Sequence, residues 1–254
     1  MEDKNISKAL IAELIGTFTL VFSIIVMVSV YAIGAKQLVP GVVFPFIALG
    51  HFLVLFLLIQ SLGSISGGHF NPAVTLGLLS IRKISGSNAV AYILVQLVGA
   101  VLAGFLAAAI IPHQADAVKY AAPAISPLIS TGAGIAFEAI FTFFLVWAIV
   151  ATAVNPNGPK EWAPAAIAGT LALGVLLIAS YTGAGLNPAR AFGPDVANAI
   201  FGKGGFGSVS DFLLAYTVAP IAGGILAATI YNGLYIESSE PAPPAPAPSE
   251  QSPL

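Results

Sequence analysis

Ser66-Gly67-Gly68-His69-Phe70-Asn71-Pro72-Ala73-Val74-Thr75 and Thr182-Gly183-Ala184-Gly185-Leu186-Asn187-Pro188-Ala189-Arg190 are two versions of one sentence, and they decide the fold. In each, a glycine-rich stretch unsuited to regular helix runs into Asn-Pro-Ala. Asn is a preferred N-cap, and Pro is tolerated at the first helical position, where no N–H is needed. Each copy therefore predicts extended backbone that turns at an Asn cap into a short apolar helix. These helices cover Ala73 to Leu79 and Ala189 to Ala199.

The surroundings of both copies are apolar. The 254 residues are 57% hydrophobic and 8% charged, with a mean hydropathy of +0.94. Soluble domains carry about 25% charged residues, so the chain reads as an integral, multi-pass membrane protein whose surroundings are the lipid bilayer. The net charge of −2 and the lack of a basic run argue against nucleic acid as a partner. There is no cysteine, which excludes disulfides, thiolate metal sites and cysteine nucleophiles together. Three histidines, with no Ser/His/Asp set and no metal-ligand spacing, leave no basis for an enzyme, a metal site or a cofactor. Lys4 and Lys8 precede an apolar segment long enough to span, which reads as a retained first helix rather than a cleaved signal.

Taken in order, the apolar spans are Ala9–Ile33, Gly41–Leu62, Ala89–Ile111, Thr131–Val154, Trp162–Tyr181 and Phe212–Ile236. Pro112 to Ser130 connects two halves. Ala12-Glu13-Leu14-Ile15-Gly16-Thr17-Phe18 resembles Phe137-Glu138-Ala139-Ile140-Phe141-Thr142-Phe143, and Gly99 with Leu102-Ala103 matches Gly223 with Leu226-Ala227. Each half thus reads span, span, half-helix, span: repeat one over about 8–111, repeat two over about 131–236. Three spans is an odd number, so the second half must insert upside down, and the half-helices enter from opposite faces. The expected fold is an all-α membrane protein of six transmembrane helices plus two re-entrant half-helices, one channel domain over 1–236. The Pro-, Ala- and Ser-rich 237–254 reads as a disordered tail. Lys4, Lys8, Arg82, Lys83 and Lys160 fall on one side and Lys36, Lys119 and Lys203 on the other, which places both termini in the cytoplasm.

Non-helical backbone at membrane depth is tolerated where protein buries it or where it lines a water-filled cavity. The carbonyls of Gly67, Gly68, His69 and Phe70, and of Gly183, Gly185 and Leu186, can form ladders of acceptors along a pore. The positive ends of the half-helices meet near the midplane at Asn71 and Asn187. Both Asn amides can donate to a passing oxygen, which hinders proton relay along a file of water, and the dipoles repel cations. Passive conduction of small neutral molecules with exclusion of ions follows.

The two Asn-Pro-Ala motifs, the extended forms Ile65–Thr75 and Asn187–Pro194, and the paired Glu13 and Glu138 together resemble the aquaporins of the major intrinsic protein family. The resemblance covers about residues 8 to 236. It implies a homotetramer with one pore per protomer. It also implies a selectivity filter at His51, Val175, Ala184 and Arg190, a set most similar to plant tonoplast-type aquaporins, and so passage of water with ammonia or other small neutral solutes. Glycerol facilitators carry Asp where this chain has Ala191, which weighs against the alternative of a glycerol or urea facilitator. Asp195 departs from the usual small or basic residue. Intramembrane carboxylates are proton-relay candidates by default, which keeps a proton-coupled transporter as a third reading. The family instead uses Glu13 and Glu138 to hold the pore loops. His69 is read equally as pore-lining or structural, His113 as a solvated loop residue, and Gly99, Gly104, Gly223 and Gly224 as small residues that let helices approach.

Overall fold

The computed structural model describes residues 6–34 and 43–236. Lys36 and the tail from 237 onward lie outside the described residues. Among the described residues the helices are α1 (Ile6–Gly34), α2 (Val43–Ser66), α3 (Pro72–Ser80), α4 (Gly86–Ile110), α5 (Pro112–Ala117), α6 (Thr131–Val154), α7 (Ala163–Thr182), α8 (Pro188–Phe201) and α9 (Val209–Ile236). Six of them, α1, α2, α4, α6, α7 and α9, are long and apolar enough to cross a membrane. The expected spans are present, each within a few residues of its expected ends. The small helix α5 inside the connector was not read from the sequence. Six residues are too short for a periodic signal.

Packing follows the internal repeat. Within repeat one α1 packs on α4, and within repeat two α6 packs on α9; α2 and α7 join the halves. The half-helices are exchanged, so that α3 packs on α9 and α8 on α4. Equivalent glycines set the closest crossings. A Cβ on Gly99 would lie 2.6 Å from the Leu14 carbonyl oxygen, and one on Gly223 only 2.1 Å from that of Ala139. Under each half-helix the same device recurs: a Cβ on Gly77 would meet the Gly224 carbonyl at 3.0 Å, and one on Gly193 the Ala100 carbonyl at 2.3 Å. In a bilayer, helices gain little from hydrophobic exclusion, so such backbone approach is what their packing rests on. Two helices also widen locally to longer hydrogen-bond loops, over Val150–Val154 in α6 and over Leu214–Val218 in α9. The outward faces remain apolar, with Leu53, Leu57, Leu102, Leu177 and Leu226 about half exposed.

Candidate functional site

Both half-helices start as the sequence predicts. Asn71 is extended (φ −158°) and its side-chain oxygen accepts from Ala73 N. Asn187 (φ −156°) accepts from Ala189 N and Arg190 N, and Pro72 and Pro188 follow in the first turn. The amide ends of the two caps do more than face a passing molecule. Asn71 Nδ2 donates to the Leu186 carbonyl at 2.9 Å, and Asn187 Nδ2 donates to the Phe70 carbonyl at 2.9 Å. Each cap thus commits one N–H to the opposite loop and keeps one. The Phe70 and Leu186 carbonyls, expected as free acceptors of the ladder, are engaged by these bonds.

The loops before the caps are strained. Phe70 (φ 49°), Ala184 (φ 47°) and Leu186 (φ 51°) occupy left-handed backbone beside Gly67, Gly68 and Gly183. Such a conformation costs a non-glycine residue on the order of 1–3 kcal/mol. The two buried carboxylates hold it. Glu13 Oε1 accepts from Ser66 Oγ (2.7 Å) and His69 N (2.9 Å), and Oε2 accepts from Phe70 N (2.7 Å) and Gln96 Nε2 (2.8 Å). Glu138 Oε1 accepts from Thr182 Oγ1 (2.6 Å) and Gly185 N (2.8 Å), and Oε2 from Leu186 N (2.6 Å). Tyr92 and Tyr216 finish the clamps by donating to the Ser66 and Thr182 carbonyls at 2.8 and 2.7 Å. These partners went unnoticed in the sequence, although Ser66 with Thr182 and Tyr92 with Tyr216 stand at matched repeat positions that could have revealed them.

A cavity runs along the two loops. It is lined by Leu20, Ile24, His51 and Leu55 of repeat one, by Leu145, Ile149, Ile167 and Leu171 of repeat two, and by loop and cap residues including Asn71, Val74, Ala184, Asn187 and Arg190. The room open to a water-sized body is about 30 Å³, enough for roughly two or three waters. Of the expected filter residues, His51, Ala184 and Arg190 come together on this wall. Val175 does not line it and is 1% exposed within the helical core. Gly68, His69, Phe70 and Gly185 line it, whereas Gly67, Gly183 and Leu186 do not. His51 Nδ1 sits 2.8 Å from the Ile47 carbonyl. A carbonyl can only accept, so Nδ1 carries the proton and the neutral ring keeps Nε2 as an acceptor. His69 Nδ1 lies 3.1 Å from Thr75 Oγ1, and its ring meets Tyr92 edge-on.

Arg190 is held from the connector. Its Nη1 donates to the Ala121 carbonyl at 2.8 Å, while its Nε is buried without a hydrogen-bond partner among the described residues. Ala121 closes a left-handed run, Lys119–Tyr120–Ala121 (φ 50°, 56°, 60°). The Tyr120 phenol there is pushed above its ordinary range by burial and then by nearby Asp116, and stays neutral. Asp195, whose role the sequence left open, is buried and accepts from Gly207 N at 3.3 Å, pinning the loop that follows α8. His113 is exposed at the start of α5.

A caged carboxylate behind each strained loop, with two helix N-termini facing across a narrow cavity, is the architecture of a known channel family, and the family model described as Major intrinsic protein matches residues 1–231. The chain belongs to the major intrinsic protein family. It is 35% identical to the probable aquaporin AqpM of Archaeoglobus fulgidus over 91% of this chain and 98% of that one. It is 34% identical to aquaporin TIP2-1 of Arabidopsis thaliana over 94% and 92%. Its fold matches the X-ray structure of the aquaglyceroporin from Plasmodium falciparum with a TM-score of 0.75, at 24% identity, over 91% of this chain and 97% of that chain. The protein is a multi-pass membrane channel of this family and not an enzyme.

Proposed function

We propose that the channel conducts water and ammonia, with ions and glycerol excluded. The observation that carries this reading is the pairing of Arg190 and His51 on the wall of a cavity with room for only a few waters. Arg190 presents donors. His51 presents an acceptor at Nε2, because Nδ1 is committed to Ile47. Water and ammonia both accept and donate, so either can satisfy the pair, whereas a carbon chain the length of glycerol's meets a narrow space. Cations face the Arg190 charge and the positive ends of α3 and α8. The second amide N–H of Asn71 and of Asn187 supplies donors at the middle of the file, which orients each passing oxygen against proton relay. Glu13 and Glu138 support these loops rather than shuttle protons: every carboxylate oxygen already accepts at least one hydrogen bond.

The excess of Lys and Arg at the face where α1 starts supports termini in the cytoplasm. The apolar outer faces suit both lipid and neighbouring protomers, and we read the assembly as a homotetramer with a pore in each copy. Reconstitution into vesicles tests the solute reading. Water-driven shrinkage, ammonia-driven alkalinisation and glycerol uptake are compared with empty liposomes. Water and ammonia fluxes above the blank with no glycerol flux are the expected result. Glycerol flux comparable to water would overturn the selectivity, and solute accumulation against a gradient would overturn the channel.

A further inference from the structure

A second cavity, of about 930 Å³, lies at the end of the bundle where α1 begins, α2 ends and α4 begins, and shares His69 with the wall of the pore cavity. Its lining is mixed: Ile6, Ala9, Ile65, Leu79, Ile84 and Tyr92 supply an apolar part, and Ser64, Ser85, Ser87 and Asn88 a polar part. Arg82 and Lys83 stand at its mouth, both exposed, in the turn from α3 to α4. The turn is fixed: Arg82 takes left-handed backbone (φ 58°), and the Arg82 and Lys83 amides donate to the Leu79 and Leu78 carbonyls at 2.9 Å each. Among the described residues no acidic side chain lines the cavity, and neither cation forms an ion pair. The floor is the back of the first pore loop, at Ser66 and His69.

We propose that this cavity binds one anionic phospholipid, its phosphate on Arg82 and Lys83 and an acyl chain along the apolar part of the lining. Three observations fix the occupant. The cavity opens at the ends of three helices long and apolar enough to span a membrane, which is where lipid headgroups meet a spanning helix. Two cations with no counter-charge among the described lining residues favour a net negative headgroup over a zwitterionic one, whose ammonium would be brought to the same cations. A free phosphate would leave the apolar part of the lining, Ile6, Ala9, Ile65, Leu79 and Ile84, uncovered. The site stands independently of which solute the pore conducts.

Native mass spectrometry of the full chain in detergent tests this, comparing phosphatidylglycerol with phosphatidylcholine at equal concentration. The parent is expected to retain phosphatidylglycerol preferentially. The double variant Arg82→Gln with Lys83→Gln should lose about fivefold in affinity per charge, roughly 25-fold together, with phosphatidylcholine binding unchanged. Both substitutions are on the surface, and an unaltered elution profile shows that the variant folds. Equal retention of the two lipids by the parent, or an undiminished preference in the variant, overturns the proposal. So does displacement of the lipid by millimolar inorganic phosphate, which would mark an anion site without a lipid. If phosphatidylglycerol binds only to a chain starting at Ile6, the occupant is the chain's own Met1–Asn5 and the proposal is wrong.

Discussion

Glu138→Gln should weaken the second pore loop more than Glu13→Gln weakens the first. Glu138 receives three donors, two of them the backbone N–H groups of Gly185 and Leu186. A glutamine offers one acceptor oxygen. If that oxygen serves Gly185, the amide NH2 is turned onto the Leu186 N–H; if it serves Leu186, the NH2 faces Gly185. Either way one buried backbone donor is orphaned, at about 1–3 kcal/mol, in a loop that already carries left-handed strain at Ala184 and Leu186. In repeat one the clamp has a fourth member, Gln96, whose Oε1 has no partner among the described residues. That amide can turn over and accept from the NH2 that Glu13→Gln introduces, which recovers part of the loss. The expected order of thermal midpoints, read by fluorescence-detected gel filtration in detergent, is parent, then Glu13→Gln, then Glu138→Gln. The last should lie roughly 3–10 °C below the parent. Passive water flux per folded protein should fall less than the yield does. An unchanged midpoint for Glu138→Gln, or the reverse order, would refute the clamp argument. Loss of a pH-gradient-driven uptake in either variant would show that the carboxylates move protons.

Three further outcomes can be checked directly. Gly223→Ala drives a Cβ to 2.1 Å from the Ala139 carbonyl oxygen, a clash of a side-chain carbon with helix backbone that cannot swing aside, which should cost about 3 kcal/mol or more and abolish a monodisperse gel-filtration peak. Ala184→Cys places the chain's first thiol on the pore wall, so vesicle water flux should become sensitive to mercurials while the parent, with no cysteine, stays resistant. Arg190→Val removes the charge on the cavity wall and should raise glycerol leakage several-fold in a vesicle swelling assay; unaltered glycerol exclusion would place the selective step elsewhere.

The half-helices were legible because their caps are local chemistry. An Asn-Pro pair set between a glycine-rich stretch and an apolar run favours a helix start, and the structure starts α3 and α8 at Pro72 and Pro188, whereas Asn155-Pro156, which ends α6, forms a turn. The six spans were legible because a bilayer demands long apolar runs. What was hidden is what depends on pairing across long separations. Nothing in Ala121 announces that its carbonyl will meet Arg190, 69 residues on; any residue supplies a carbonyl, and the left-handed turn that aims this one is built from ordinary Lys, Tyr and Ala. The cross-bonds from Asn71 to Leu186 and from Asn187 to Phe70 were hidden likewise. Val175 is a different case: its place in the filter rests on counting back along α7 by resemblance, and its side chain is buried in the helical core.

On the proposed selectivity, the wall gives a reason for selection to sit at one end of the pore. Its residues fall into repeat-related pairs: Leu20 with Leu145, Ile24 with Ile149, Leu55 with Leu171, and Asn71 with Asn187. In these pairs the side chains are the same, so they cannot distinguish one end of the file from the other. The symmetry breaks in polarity at three pairs, one of them His69 with Gly185. His51 stands opposite Ile167, and Arg190 opposite Val74. Because the repeats are inverted, His51 and Arg190, although they come from different halves, are brought to the same end. Ile167 and Val74 are brought to the other. One end therefore holds a donor and an acceptor in a narrow space, while away from it the polar side chains of the wall are His69, whose Nδ1 is engaged with Thr75 Oγ1, and the two Asn caps. A molecule that passes the polar end meets no second barrier of the same kind. Converting Val74→Arg with Ile167→His would build a second filter at the far end, and water flux should then fall with two constrictions in series while the order of solute preference stays the same.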